Sequence, residues 1–390
     1  MPKLRFAEFQ GMAGWPLEQL RNIASINKGE QLPASEKDND ALYPHFNGGT
    51  SPSSYTHKSN REANTIIVSE GGNSCGHVQF VGVPFWCGGH CYSLTPSSRV
   101  VTGCLYFALQ ARQSQIMALR VGSGLPNIQK SALERFLLAL PPTVDEQQKI
   151  AECLGSLEAQ IAAQGRKVET LKDHKKGLSQ QLFPQEGETQ PRLRFPEFKG
   201  AGDWIEVPLA RFIEEFRSQS VVQDEFEVLT SARSGLVRQR DYYENDRIAE
   251  RDNIGFNIIP EGYLTYRSRS DDRRFFFNEN NLGITGIVSV YYPVFRILNG
   301  SNKFFIELLS AFSRVVGKYS VGTSQTVLSL NQLKKIKLPV TSAAEQRRIA
   351  DCFVSLDDLI AAEIRKLDTL RTHKKGLLQQ LFPLVDGVEE

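Results

Sequence analysis

A long segment occurs twice in this chain, from Glu146 to Pro184 and again from Glu345 to Pro383. The two copies align without a gap and are identical at about 24 of about 39 positions, which identifies an internal repeat. Apolar residues in each copy alternate steps of three and four, the spacing typical of a coiled-coil helix. The predicted seam comprises Ile150, Leu154, Leu157, Ile161, Val168, Leu171 and Leu178 in the first copy, and Ile349, Phe353, Leu356, Ile360, Leu367, Leu370 and Leu377 in the second. The sequence therefore predicts two long helices that bury these seams against each other.

Both helices carry start and stop signals. Thr143 and Ser342 each precede a glutamate by three residues, Glu146 and Glu345, and this spacing predicts a capping box at each helix start. A Phe-Pro pair ends each copy, because proline disfavours helix at the residue before it. Four polar residues interrupt the seam, and they either fix its register or are tolerated there: Gln164, Lys175, Glu363 and Lys374.

The repeat extends beyond the helices. An entry segment, Leu4–Gly11, returns as Leu193–Gly200, and each copy is followed by a tryptophan, Trp15 or Trp204. Each half then contains a globular region, a Leu-Pro exit and the long helix. The predicted domains are a first globular region at 1–142, the first helix at 143–184, a linker with the second globular region at 185–341, the second helix at 342–384 and a tail at 385–390.

The two globular regions share almost no sequence between these borders. Runs such as Thr65–Ser69 and Tyr263–Arg267 predict strands, and glycine-rich stretches between them predict turns. An amphipathic run, Phe304–Val316, predicts one helix. A short polar linker, 185–191, joins the halves, so antiparallel packing of the two helices would need no long return path. The predicted fold class is α+β: two mixed α/β regions separated by two long antiparallel coiled-coil helices, related by a pseudo-two-fold axis.

Composition sets broad limits. A hydrophobic content of 41% and a charged content of 23% are typical of a soluble globular protein. The N-terminus lacks a leader-like apolar run, no apolar run is long enough to cross a membrane, and the six cysteines lack framework spacing, so we expect a cytoplasmic protein. A net charge of +2 neither indicates nor excludes a nucleic-acid partner. The chain has no phosphate-binding GxxxxGK[ST] loop, which argues against ATP-driven chemistry in this chain.

The duplicated helices, the entry segments ending in Trp15 and Trp204 and the exits at Pro141 and Pro339 resemble the specificity subunit of a type I DNA restriction-modification enzyme. The stretch Gly262–Arg267, followed by Gly286–Ser289, is also similar to such subunits. The resemblance implies a non-catalytic subunit with two target recognition domains, each reading one half of a bipartite, asymmetric double-stranded DNA target. It further implies that the helices set the gap and dock two methylation subunits and, in the full complex, restriction subunits. S-adenosylmethionine, ATP and Mg²⁺ are then expected on those partners and none of them on this chain.

Candidate DNA contacts follow from polar loops and from clustered arginines, whose forked guanidinium groups suit guanine and phosphate. The candidates in the first globular region are Asn47, Thr50, Ser51, Tyr55, Lys58, Arg61, Asn73 and His77. Those in the second are Arg233, Arg238, Gln239, Arg240, Tyr266, Arg267, Ser268, Arg269, Ser270, Arg273 and Arg274. Solvated turns with local ion pairs, such as arginines paired with Asp271 and Asp272, are the alternative interpretation.

Other functions stay open at this point. Cys75, His77, Cys87, His90 and Cys91 lie close in sequence and could be drawn as a zinc or enzyme site, although only Cys87 and Cys91 approach a metal-ligand spacing. A coiled-coil scaffold with two protein-binding globular regions is a further alternative. A specificity subunit whose partners are encoded elsewhere cannot be told from an ordinary one by sequence.

Overall fold

The computed structural model describes residues 2–122, 124, 126–233, 235–242 and 252–382, and these divide into two compact units. The first unit contains residues 2–166 and 364–382, and the second contains residues 167–363. Each unit therefore holds one globular region and one part of each long helix. Among the described residues, no helix is long and apolar enough to cross a membrane.

The strands and helices of the first globular region, with the long helix that follows it, are β1 (Leu17–Gln19), α1 (Leu20–Ile23), β2 (Ala24–Lys28), β3 (Tyr43–Phe46), β4 (Ser54–Thr56), β5 (Thr65–Ser69), β6 (Val78–Val81), β7 (Trp86–Cys87), β8 (Cys91–Pro96), α2 (Thr102–Ala111), α3 (Gln113–Ala118), α4 (Lys130–Arg135), β9 (Leu137–Ala139) and α5 (Val144–Leu182). Those of the second are β10 (Ile205–Pro208), β11 (Ile213–Phe216), β12 (Glu227–Ala232), β13 (Gly235–Arg238), α6 (Gln239–Tyr242), β14 (Asn257–Ile259), β15 (Leu264–Tyr266), β16 (Arg269–Ser270), β17 (Phe277–Glu279), β18 (Gly286–Val288), β19 (Val294–Ile297), α7 (Asn302–Ala311), α8 (Ser313–Lys318), β20 (Thr326–Val327), α9 (Leu330–Lys335), β21 (Lys337–Val340) and α10 (Ala343–Leu381).

The two long helices, α5 and α10, form as the repeat predicts and contain 39 residues each. Within the first unit, Ile150 and Leu154 of α5 share a core with Leu381 of α10. Within the second unit, Leu182 of α5 shares a core with Ile349 and Phe353 of α10. Because contacts advance along one helix as they retreat along the other, the helices pack antiparallel inside each unit. The last predicted helix-stop residue, Pro383, lies outside the described residues.

Most of the predicted seam is buried. Ile150, Leu154, Leu157, Val168, Ile349, Phe353, Ile360 and Leu367 are each less than a tenth exposed. The remaining seam residues are partly exposed: Ile161, Leu171, Leu178, Leu356, Leu370 and Leu377. Burial of these side chains removes apolar surface from water and supplies the main stabilising force for the helix pair.

The two lysines of the seam are paired with carboxylates. Lys374 contacts Glu158 and donates to Gln110 Oε1 at 2.9 Å in the first unit. In the second unit, Lys175 lies 2.8 Å from Asp357 and 2.9 Å from Glu307. Lys374 thus links α5 and α10 to α2, and Lys175 links them to α7. These pairings favour one register of α5 against α10.

The entry segments clamp the helix ends. The Leu4 amide donates to the Gln380 carbonyl at 3.0 Å, and the Leu193 amide donates to the Gln181 carbonyl at 2.9 Å. These carbonyls belong to the last turns of α10 and α5, where helical backbone acceptors lack partners within the helix. The repeated entry sequence thus closes the C-terminus of one long helix in each unit.

Each entry segment also binds the first turn of the other long helix, α5 in the first unit and α10 in the second. Arg5 donates through two nitrogens to the Glu146 carboxylate, each at 2.7 Å, and Arg194 does the same to Glu345. Glu146 and Glu345 are 0% and 1% exposed. The predicted capping box is therefore half correct. The Thr143 and Ser342 hydroxyls accept from the helix backbone, whereas the glutamates bind arginine from the entry segment instead of closing the box.

The two globular regions have the same fold, which their sequences do not suggest. One sheet has the order β2-β8-β5-β6 in the first region and β11-β19-β15-β17 in the second. A second sheet joins β4, β3 and β7 in the first region, and β13, β12, β18 and β14 in the second. Each second sheet includes one parallel pair, β3 with β7 or β12 with β18. The shared fold reflects a common pattern of buried apolar positions that different side chains can fill.

The C-terminal part of each globular region repeats element by element. The helices α2, α3 and α4 return as α7, α8 and α9, each displaced by 200 residues. The single helix predicted over Phe304–Val316 is wrong: the backbone at Phe312 (φ −94°, ψ 25°) leaves the helical region and separates α7 from α8. Arg112, with φ −109° and ψ 17°, makes the equivalent break between α2 and α3.

Candidate nucleic-acid interface

Two loops lie side by side in each globular region, at equivalent places in the shared fold. In the first region they are 47–53, between β3 and β4, and 70–77, between β5 and β6; we call them the first loop pair. In the second region they are 231–233, the end of β12 with the first residue of the turn after it, and 267–276, the stretch between β15 and β17 that includes β16; we call them the second loop pair.

In each pair, an amide side chain from the strand after the second loop donates a hydrogen bond to the first loop. Gln79 donates to the Gly49 carbonyl at 2.8 Å in the first region, and Asn278 donates to the Ala232 carbonyl at 2.9 Å in the second. Gln79 lies on β6 and Asn278 on β17, the strands that follow the second loop of each pair. The two globular regions therefore hold two adjacent loops in the same way, although the loops differ in sequence.

The first loop pair presents small polar groups. Thr50, Ser51 and Asn73 are exposed. Asn47 is partly exposed, and its side-chain oxygen accepts from the His90 amide at 3.2 Å, so it also positions the turn before β8. Burial lowers the pKa of His77, which favours a neutral imidazole at this surface.

Three other candidates of the first region lie outside its loop pair. Tyr55 is exposed on β4. Lys58 is exposed and lies 3.2 Å from Glu36. Arg61 donates to the Ser93 hydroxyl at 2.8 Å and to the carbonyls of Asn60 and Lys28. These bonds use three of the five guanidinium N–H groups and tie neighbouring strands together, and a DNA contact by Arg61 stays a prediction.

The second loop pair presents arginines and aromatic rings. Arg267, Arg273 and Arg274 are exposed. The Arg269 guanidinium lies 3.8 Å from the centre of the Tyr291 ring, and Tyr291 is 50% exposed. Stacking on an aromatic ring holds a guanidinium plane in a fixed orientation while its N–H groups stay free to donate outward.

Arg233 is held between an aromatic ring and a carboxylate. Its guanidinium lies 5.4 Å from the Phe276 ring centre and 3.4 Å from Asp272. The Ser270 hydroxyl, the Arg274 amide and the nearby arginines hold the pKa of Asp272 below its usual range. The predicted local ion pairing with Asp272 is thus present, yet the Arg233 side chain remains 75% exposed.

Three candidates of the second region are internal. Tyr266 is 0% exposed, and its hydroxyl donates to the Leu328 carbonyl at 2.9 Å. Ser268 and Ser270 are 8% and 9% exposed, and the Ser270 hydroxyl donates to Asp272 at 2.8 Å. Side chains enclosed in this way support the loop and do not reach a ligand at the surface, so these three assignments are corrected.

Arg238, Gln239 and Arg240 lie at the other end of β13 from the turn that carries Arg233. Arg240 is exposed and lies 3.4 Å from Glu227. Arg238 is partly buried, and its Nε has no hydrogen-bond partner among the described residues. These residues form a group separate from the second loop pair.

The two loop pairs differ in charge. The second contains five arginines and two aspartates, whereas the first contains one glutamate, Glu70, and no lysine or arginine. Glu70 is itself neutralised by Lys28 at 2.9 Å. The second pair can donate bidentate hydrogen bonds to guanine or phosphate, and the first offers amide and hydroxyl groups that can both donate and accept. Two loop pairs with the same backbone placement but different side chains could distinguish different base sequences.

The cysteine-rich stretch does not form a metal site. Among the described residues, no three His, Cys, Asp or Glu side chains come together in a way that could hold a metal ion. Cys75, Cys87 and Cys91 are each no more than 1% exposed, and burial raises the pKa of the Cys75 thiol. The Cys75 thiol is therefore a poor nucleophile, whereas the hydrogen bond from Cys87 lowers the pKa of Cys91. All three cysteines belong to buried clusters of the first region.

Sequence reasoning missed the aromatic partners of the arginines, Phe276 and Tyr291. It also missed two short antiparallel pairings beside the loop pairs, Val121 with Asn127 and Val321 with Val327. A Val-Gly dipeptide, Val121-Gly122 and Val321-Gly322, recurs in them at the 200-residue spacing of the surrounding helices. That spacing could have revealed the equivalence of the two regions.

Comparison with known proteins points to one family. The specificity subunit of the type I restriction enzyme MjaVIII from Methanocaldococcus jannaschii is 24% identical over 313 residues, covering 71% of this chain and 68% of that protein. A putative type I specificity subunit from Mycoplasma genitalium is 24% identical over 389 residues, covering 98% of this chain and 96% of that one.

Solved structures share the fold. The crystal structure of a type I restriction-modification S subunit from M. genitalium matches with a TM-score of 0.66 at 21% identity, covering 99% of this chain and 100% of that chain. A chain from a structure of complex assembly and conformational transition in a type I R-M system matches with a TM-score of 0.52 at 13% identity, covering 94% and 96%. These matches confirm the predicted fold class, with two mixed α/β regions and two long helices.

The family model for the type I restriction modification DNA specificity domain matches twice, at residues 12–173 and 238–372. Together these ranges cover well over half of the chain and include the first globular region, the second from residue 238 onward and most of both long helices. The two matched ranges correspond to the two halves of the duplicated chain. This chain belongs to the family of type I restriction-modification DNA specificity proteins.

Proposed function

We propose that each loop pair reads one half of a bipartite, asymmetric DNA target, and that the chain itself carries out no catalysis. One observation carries this proposal: the same two adjacent loops in both regions hold most of the exposed polar candidates, with different side chains in each. Base edges in the major groove are distinguished by their donors and acceptors, so different loop chemistry implies different half-sites. The coiled-coil scaffold alternative offers no reason for this pairing of loops.

Exchange of a globular region tests the proposal. Residues 21–140, which lie between the repeated borders, are replaced by the corresponding region of another family member, and the methylated genomic sites are sequenced. We expect one half-site to change while the other half-site and the gap stay the same. The reciprocal exchange of residues 210–338 should change only the other half-site. A change in both halves after either exchange would rule out two independent readers.

Single arginines of the second loop pair should control discrimination at one half-site. Arg267→Ala removes an exposed guanidinium, and we expect a loss of about 1–3 kcal/mol in discrimination between the cognate and a substituted second half-site. Arg211→Ala, at an exposed arginine outside the loop pairs, serves as the matched control. Binding to duplexes with single base changes is measured at fixed salt. Equal discrimination by the two variants would place Arg267 off the bases.

We further propose that the long helices dock two methylation subunits and, in the full complex, restriction subunits, which would bind S-adenosylmethionine, ATP and Mg²⁺. The repeated glycines Gly177 and Gly376 support a docking role. Packing within each unit does not require glycine there, because an added Cβ would meet no atom within 4 Å at either position. Both copies of the repeat have glycine at this position although packing within the unit does not require it. A glycine leaves room for the backbone or side chains of another chain to come close to the helix.

Alanine substitution separates stability from docking. Gly177→Ala and Gly376→Ala should each stabilise the isolated chain by about 1 kcal/mol, because alanine has the higher helix propensity. The same variants should weaken capture of the methylation subunit. Gly155→Ala is the matched control, since Gly155 also has open space around it but is replaced by Val354 in the second copy. Thermal unfolding and co-purification are measured; unchanged capture by all three variants would contradict the docking assignment.

A further inference from the structure

The sheet end that carries the longer loop of the second loop pair also carries a further segment. The order β11-β19-β15-β17, with antiparallel neighbours, brings the last residues of β11 and β15 to the same end of the sheet. Loop 267–276 follows β15 there, and the segment 217–219 follows β11. Neighbouring strands lie about 4.8 Å apart, so the two exits are separated by about 10 Å, or about three base-pair rises along DNA.

A cleft of about 390 Å³ lies at this end of the sheet, beside the segment 217–219. Its lining consists of residues 215–219, Asn257, Pro293 and Val294. Phenylalanine, proline and valine supply apolar surface, and the remaining residues supply carboxylate, guanidinium, hydroxyl and amide groups. Apolar walls with a few polar groups that donate and accept are suited to the edge of a base.

Backbone hydrogen bonds fix the segment in place. The Ile258 amide donates to the Ser218 carbonyl at 2.8 Å. The Ser220 amide donates to the Phe256 carbonyl at 2.9 Å. After β11 the chain therefore leaves one sheet and joins the edge of the other beside β14. The exposed side chains at 217 and 219 are thus presented from an ordered backbone.

Asn257 connects the cleft with the second loop pair. Its side-chain amide donates to the Tyr292 carbonyl at 3.0 Å. The neighbouring Tyr291 stacks on Arg269 of the loop, and its carbonyl accepts from the Ser268 amide at 3.3 Å. One turn thus contacts both the cleft and the loop, so a duplex bound at the loop would pass beside the cleft.

A neighbouring carboxylate orients the Arg217 guanidinium. Arg217 Nε lies 2.9 Å from Glu215 Oε1, and Nη2 donates to Glu215 Oε2 at 2.9 Å. These bonds use two of the five guanidinium N–H groups, and the Arg217 side chain is 79% exposed. Lys334 lies 4.0 Å from the same carboxylate, so the two cations outweigh its charge. A guanidinium held in this way can present its remaining N–H groups to guanine O6 and N7.

We infer that Arg217 reads one further base pair of the second half-site, within about three base pairs of those that the second loop pair contacts. This inference rests on the proposed function. The same place in the first region is built differently. There Lys28, at the end of β2, is paired with Glu70 at 2.9 Å. The next residue, Gly29, packs so closely that a Cβ would come within 2.2 Å of the Gly88 carbonyl. We therefore assign the extra contact to the second half-site alone.

Single base-pair changes in the duplex test the inference. The full complex of Arg217→Ala with its methylation subunits is assayed on duplexes in which each base pair of the second half-site and its flanks is changed in turn. We expect discrimination at one base pair, different from those affected by Arg267→Ala, to fall about tenfold, because a bidentate contact is lost. Arg217→Lys keeps the charge without the fork and should lose the same discrimination. Arg211→Ala, at an exposed arginine before the other end of β11, should lose none.

Three results would overturn the inference. Unchanged discrimination in Arg217→Ala, while Arg267→Ala is still impaired, would mean that the cleft does not meet DNA although the proposed function stands. An equal loss of affinity for every duplex in Arg217→Ala, restored in Arg217→Lys, would assign Arg217 to the DNA backbone and not to a base. A wild-type complex that prefers no bipartite site would instead overturn the proposed function, and the inference with it.

Discussion

Replacing Arg194 with alanine should lower the free energy of unfolding by about 3–5 kcal/mol, the loss expected when one partner of a buried ion pair is removed. The Arg194 and Glu345 side chains are 9% and 1% exposed, and two 2.7 Å hydrogen bonds join them. Without the guanidinium, an anionic carboxylate at the start of α10 would be left enclosed. The hydrogen bond to Glu345 raises the pKa of Arg194, which keeps the pair charged in the folded protein.

Two variants make this result interpretable. Arg348→Ala removes an arginine from an exposed pair with Glu197, at 3.1 Å, and should cost less than about 1 kcal/mol. The double variant Arg194→Met with Glu345→Met removes both charges and should recover much of the lost stability. Denaturant unfolding of the three proteins is compared. If Arg194→Ala lowers the free energy of unfolding no more than Arg348→Ala does, the Arg194–Glu345 ion pair does not hold the entry segment on α10.

Shortening both long helices by one heptad should shorten the unread gap of the DNA target. Removing residues 162–168 from α5 and 362–368 from α10 deletes facing stretches, since Lys167 and Glu363 contact each other at 2.5 Å. Seven residues correspond to about 10 Å of helix. We therefore expect the gap to lose about three base pairs while both half-sites stay the same. The gap is read from the methylated sites of a cell that expresses the variant.

Removing the heptad from α5 alone is the control. The two seams would then differ in length, so apolar positions on one side of the deletion would lose their partners and assembly should fail. A constant gap after the matched deletion would contradict the idea that helix length sets the spacing.

The long helices could be predicted closely because their signal is local and repeated. The predicted caps, Thr143 and Ser342, directly precede the observed helix starts, Val144 and Ala343. The strand Thr65–Ser69 was also predicted with its observed bounds, because a short apolar run between turn residues suits a buried strand. The glutamates of the capping boxes differ from the prediction because their partners, Arg5 and Arg194, lie about 140–150 residues away in sequence.

The common fold of the two globular regions was not predictable from residue identity. It is encoded by sheet pairings between distant strands, such as β2 with β8 and β11 with β19. Dependence on distant contacts also limited the prediction of the candidate site. Arginine content located the second loop pair, but burial of Tyr266, Ser268 and Ser270 depends on tertiary contacts with Leu328 and its neighbours.

The most direct measurement is to co-express this chain with its methylation subunits and sequence every methylated site in the host genome. Two unlike short motifs at one constant gap are the predicted result, because two equivalent loop pairs carry different side chains. A single continuous motif, or a symmetric one with two identical halves, would contradict the assignment of one half-site to each globular region.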